Sequence, residues 1–69
     1  MKIQINKLKE LMLKSGMTYT ALSKKSGISK THISRIVTGR IETIRFDTIL
    51  KLSKALNIDP NYIVEEEGD

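Results

Sequence analysis

The sequence predicts a small all-α domain of five short helices whose second and third helices meet at a tight turn. Three observations carry that prediction. Apolar residues recur three and four apart in separate short blocks, the spacing of one helix face. Good helix caps stand at the block starts (Thr18, Ser29, Asp59), and residues that accept a left-handed conformation stand at the ends (Gly16, Gly27, Asn57). The one stretch with paired β-branched residues, RIETIR after Gly39, is short and flanked by charge, so it reads as a loop in which a brief extended piece fits and a sheet does not.

In the first block Ile5, Leu8, Leu11 and Met12 share a face, giving a helix from about Gln4 to Ser15 that Gly16 ends. Its lysines raise the reading of a membrane-surface helix or transit peptide. Glu10 and the immediate next cap favour a core helix instead. Met17 precedes the Thr18 cap and can staple against Leu22, so the second helix runs over about Tyr19 to Ser26 and stops at Gly27. Ile28 turns inward and Ser29 caps the third helix. There Ile33, Ile36 and Val37 fall on one side, while Lys30, Thr31, Ser34, Arg35 and Thr38 fall on the other. That outer side is polar and cationic, with no carboxylate. Two such helices with Gly at the bend are the helix-turn-helix unit, whose second helix enters the DNA major groove.

Beyond the RIETIR loop, from which Ile41 and Ile44 should tuck under the domain, Phe46, Ile49, Leu50, Leu52 and Leu56 mark an apolar stripe over about Phe46 to Leu56. Lys51 and Lys54 face outward. Asn57 closes that helix, and Asp59 followed by Pro60 starts a last short one containing Tyr62, Ile63 and Val64. Residues 1–65 are expected to form one domain and 66–69 an acidic tail.

With 69 residues, no Cys and one His, the chain must fold on packing alone, without disulfides or an imidazole or thiolate metal cluster. No apolar run approaches the length of a membrane span, and the N-terminus lacks a secretory core, so a cytoplasmic protein is expected. Charge is divided unevenly. Residues 1–58 hold all twelve Lys and Arg against Glu10, Glu42 and Asp47, a balance of +9, whereas 59–69 carry Asp59, Glu65, Glu66, Glu67 and Asp69, a balance of −5. A basic body suits a polyanion partner, although it also serves solubility. The acidic end reads first as a solubilising terminus and second as a DNA mimic folding back on the basic face. No carboxylate pair, nucleophile-and-base set or Gly-rich phosphate loop occurs, so catalysis is not expected and no cofactor, metal or small-molecule ligand is implied.

Leu8 and Leu11, the G-M-T from Gly16, Leu22, the S-G-I-S from Ser26, the I-S-R-I of Ile33 to Ile36, Gly39 and the L-S-K-A-L-N-I of Leu52 to Ile58 come in an order and spacing that resemble the Cro and CI-type, lambda-repressor-like family of phage repressors and bacterial regulators, also called the XRE family. The resemblance implies that Lys30, Thr31, Ser34 and Arg35 look at base edges. Arg35 can bond bidentately to guanine, Lys30 can reach the same acceptors, and Thr31 can offer its methyl to thymine. It places Thr18, Tyr19, Ser29, His32, Thr38 and Arg40 along the phosphate backbone, with Arg45 a further loop candidate. Tyr19 stands where the family often has Gln, and its phenol can donate one hydrogen bond to the same phosphate. Met12 and Val37 stand where many phage repressors pair Arg with Glu, a double replacement that strands no charge.

The expected function is therefore sequence-specific binding of double-stranded DNA by a transcriptional regulator, a repressor acting as a homodimer on a palindromic operator. Tyr62, Ile63 and Val64, with Ile41 and Ile44, are the expected dimer contact. Two other classes stay open: an antitoxin-like or adaptor module whose main partner is a protein, and a structured-RNA binder, which the scarcity of aromatics disfavours. Outside that context Lys30 and Arg35 read as a solvated helix face, Tyr19 as a surface aromatic and His32 as a partly exposed helix residue.

Overall fold

The computed structural model describes residues 1–41 and 43–65; Glu42 and the expected acidic tail, 66–69, lie outside the described residues. Five helices follow in order: α1 (Ile5–Ser15), α2 (Tyr19–Ser26), α3 (Lys30–Val37), α4 (Phe46–Leu56) and α5 (Pro60–Ile63). The all-α, five-helix expectation holds. The α2–α3 pair packs on the rest through α4 and α1, and α5 closes the bundle against α1 and α4.

The capping residues act as their chemistry requires. Thr18 Oγ1 accepts the Ala21 amide at 3.1 Å, Ser29 Oγ accepts the His32 amide at 3.1 Å, and Asp59 Oδ1 accepts the Asn61 amide at 2.8 Å. The α2–α3 turn satisfies itself: Ser23 Oγ donates to the Ile28 carbonyl at 2.6 Å, and the Ile28 amide donates to Ser26 Oγ at 3.2 Å. Gly27 makes this turn at φ +77, a conformation that an L side chain adopts only with strain.

One core serves the whole domain. Leu8, Leu22, Ile33, Ile36, Ile49, Leu52 and Ile63 are completely buried. Met12 and Val37 are buried with them and border the same shallow groove between α1 and the end of α3. Both positions are thus apolar and buried, and no buried side-chain polar atom among the described residues lacks a partner.

Three expectations need correction. Ile63 is fully buried, and its carbonyl accepts the Gln4 amide at 2.7 Å, so its side chain cannot also meet a second molecule. The reason is that α5 is only four residues long and spends its one inward position on its own core. Ile44 is likewise buried, tucked under the domain as expected but closed to a partner. On α4 the buried positions are Ile49, Leu52 and Ser53, while Phe46 and Leu50 stay about half exposed. Leu50 is rotated by about 100° from Ile49 on the helix, which carries it to the flank, and the small Ser53 takes its place. Ser53 satisfies its hydroxyl by donating to the Ile49 carbonyl at 2.7 Å.

Residues 1–4 form an extended strap that periodicity did not reveal. Lys2 pairs with Thr43 and Ile3 with Val64, each as an isolated antiparallel bridge. The Ile44 amide donates to the Met1 carbonyl at 2.7 Å, and the Glu65 amide to the Lys2 carbonyl at 2.9 Å. Ile3 is thereby buried. The loop after α3 and the end of α5 are tied to one strand, with α1 starting at Ile5 rather than Gln4.

Replacing Val37 alone with Glu should lower unfolding stability by about 3 kcal/mol in a urea melt, because one carboxylate would be buried unpaired beside Met12. Ile63→Ala should cost about 2 to 4 kcal/mol, and the loss should be the same at every protein concentration, as befits a core residue.

Candidate nucleic-acid interface

The outer side of α3 is made by the burial of its inner side. Ile33 and Ile36 have no exposed surface and Val37 is 4% exposed, so the helix cannot rotate without exposing them. Lys30, Thr31 and Arg35 are left in solvent, and Ser34 is half-buried between them. These four side chains line a single open depression of about 500 Å³ together with Tyr19, Thr38 and Arg40. All four residues assigned to base edges are therefore neighbours, and three of the residues assigned to phosphate adjoin them.

Backbone geometry brings Arg40 there. Its amide donates to the Arg35 carbonyl at 2.9 Å and the Ile41 amide donates to the same oxygen at 3.3 Å, folding the chain tightly back over the end of α3. Gly39 takes φ +79 at this reversal, and a Cβ built there would lie 3.5 Å from Ile5 Cδ1. A side chain is thus opposed by backbone strain more than by space.

Electrostatically the depression is one-signed. Its three cations, Lys30, Arg35 and Arg40, have no carboxylate within 4.0 Å among the described residues, where the ion pairs are Lys14 with Glu10 and Arg45 with Asp47. Among the described residues nothing local neutralises these groups, so on that count the charge is available to an incoming anion. Arg45 differs: it sits at the α4 N-cap 3.3 Å from Asp47 and does not line the depression.

The hydroxyls divide into two kinds. Thr18 and Ser29 accept a capping amide, and each keeps its own O–H proton to donate. Thr38 Oγ1 instead donates to the Ser34 carbonyl at 2.7 Å, which leaves it an acceptor unless the proton swings away. Thr18, Ser29 and His32 lie outside the depression; His32 is half-buried on α3. Tyr19 is half-buried with its ring against the core cluster, and it borders both the depression and the apolar groove beside Met12 and Val37. That double position has no signal in the sequence, because it depends on which residues of α1 and α3 the fold brings to the start of α2. Among the described residues no group of three or more His, Asp or Glu could hold a metal ion.

Comparison with known proteins shows the family and the fold. A family model described as the Cro/C1-type HTH DNA-binding domain matches residues 7–67. The chain is similar to YozG, an uncharacterised HTH-type transcriptional regulator of Bacillus subtilis strain 168, at 33% identity over 59 residues, which is 86% of this chain and 70% of that protein. Its fold is similar to that of the restriction-modification controller protein C.AhdI from Aeromonas hydrophila, with a TM-score of 0.78 and 28% identity over 84% of this chain and 86% of that one.

Removing the α3 cap with Ser29→Ala should cost about 1 kcal/mol in a thermal or chemical melt. Amide exchange should quicken first at His32, whose N–H loses its acceptor.

Proposed function

The chain belongs to the Cro/C1-type helix-turn-helix DNA-binding family, and from that premise we propose that it is a repressor that recognises a palindromic operator as a homodimer. The family is a DNA-binding transcription-regulator type and not an enzyme. No helix among the described residues is long and apolar enough to cross a membrane, and the cytoplasm, where the operator lies, is the compartment this reading requires.

The observation that carries the proposal is the depression in which Lys30, Thr31, Ser34 and Arg35 stand together, with no carboxylate lining it among the described residues. On docking, α3 offers Arg35 to the O6 and N7 of a guanine, Lys30 to a neighbouring acceptor or phosphate, and the Thr31 methyl to a thymine. Arg40, Tyr19, Thr18 and Ser29 hold the backbone and set register without reading sequence. One domain touches too few base pairs to find its site among genomic competitors, so two copies on half-sites about one turn apart are needed. With Ile63 spent on the core, the second copy docks on the α4–α5 side, where Leu50 and Tyr62 keep 41% and 43% of their surface exposed and Leu50 borders a groove with Ile58 and Pro60. The same exposed apolar surface is what an adaptor reading would use for a different protein, and selection for duplex DNA separates the two.

Selection from a random duplex pool should return a palindrome. If a dimer neutralises about six phosphates, log affinity should fall against log salt with a slope of about −5. Arg35→Ala should cost about 1 to 3 kcal/mol and relax choice at one base position, while Arg40→Ala should weaken all sequences alike. Sedimentation of Leu50→Glu on a palindromic duplex should show a single copy bound where the parent binds two; two copies of the variant would exclude this dimer surface.

A further inference from the structure

A second cleft lies beside the interface, between the start of α1 and the end of α3. It measures about 500 Å³, and its lining includes Lys7, Lys9, Thr38, Gly39 and Glu65. Thr38 lines the DNA-facing depression as well, so the two openings share a wall. The cations of the cleft are unclaimed: among the described residues no carboxylate lies within 4.0 Å of Lys7 or Lys9, and Lys7 rests instead over the Tyr62 ring at 4.8 Å from its centroid.

Glu65 fixes where the chain goes next. Its amide donates to the Lys2 carbonyl at 2.9 Å, which holds the backbone at the cleft margin, and the residues that follow are Glu66, Glu67, Gly68 and Asp69. Four extended residues reach at most about 14 Å, enough to cross a cleft of this size. A run carrying no cation therefore begins at the mouth of a cleft whose other charges, among the described residues, are two lysines.

We propose that the acidic run continuing from Glu65 docks in this cleft against Lys7 and Lys9 and competes, within the molecule, with the DNA backbone at the edge of the interface. The competitor role rests on the DNA-binding reading above; the docking does not. Occupying the cleft places carboxylates next to Thr38, where a phosphate would otherwise approach. DNA must then displace the run, so affinity is lowered most where charges are least screened. Because DNA displaces a tethered anion instead of free counterions, the apparent salt slope is also flattened.

The test keeps Glu65 and neutralises the rest in the full chain, with Glu66→Gln, Glu67→Gln and Asp69→Asn together. In the free protein, amide resonances of Lys9, Thr38 and Gly39 should shift between parent and variant, although none adjoins the substitutions in sequence. On operator DNA at low salt the variant should bind about fivefold more tightly, with the gain fading as salt rises. Repeating the comparison in a Lys7→Gln, Lys9→Gln background should abolish the gain. A gain that survives there means diffuse charge repulsion and overturns the docking, as does a free-protein spectrum unchanged at the cleft. Cleft shifts without duplex binding by either form would leave the docking standing and overturn the DNA-binding reading and the competitor role together.

Discussion

Everything that faces outward on α3 depends on three residues that face inward. An isolated helix of eight residues is far too short to hold itself together in water. Burial of Ile33, Ile36 and Val37 supplies the stabilisation that local hydrogen bonding lacks, and it also sets the rotation of the helix about its axis. The cationic side is thus aimed by the core rather than by contacts of its own. This is why Lys30, Thr31 and Arg35 can remain exposed, the two cations having no carboxylate partner among the described residues.

The same economy governs the flanks. The N-terminal strap ties Ile44 on one side and Glu65 on the other to residues 1–4, so the loop that delivers Arg40 is bound to the opposite end of the chain. A domain this small buries only about 60% of its unfolded surface, and a few backbone pairs across its termini weigh more here than in a larger fold. They also bury Ile3, a core residue outside every helix.

What could be read in the sequence follows from what is local. Caps at Thr18, Ser29 and Asp59, the breaks at Gly16, Gly27 and Asn57, and the face of α3 all depend on neighbours within four positions, so the helices and the grouping of Lys30, Thr31, Ser34 and Arg35 were legible. Tertiary choices were not. The stripe on α4 is broad enough to admit two rotations, and only the packed neighbours decide that Ser53 goes in and Leu50 stays at the flank. Ile63 looked like an exposed apolar residue because its partner, the strap, lies far away in sequence, at residues 1–4, and has no periodicity to announce it. The DNA roles expected of individual side chains came from the family resemblance and from residue chemistry; geometry adds that Lys30, Thr31, Ser34 and Arg35 share one depression.

The hydroxyls at the helix starts join fold to binding. A serine or threonine at an N-cap uses its oxygen to accept a backbone amide, which leaves its proton uncommitted. Thr18 and Ser29 both stand in this state, each at the N-terminus of a helix where the peptide dipoles already favour an anion. If DNA is bound as proposed, a phosphate arriving there would accept the free proton without breaking the cap, and its negative charge would be favoured by the partial positive end of the helix. Under the proposed reading, binding and folding would draw on the same groups without competing for them. Thr38, at the other end of α3, has no such freedom, since its proton is already given to the Ser34 carbonyl. The proposed interface would thus find free hydroxyl protons at the starts of α2 and α3, whereas at the end of α3 an anion must first displace an internal bond.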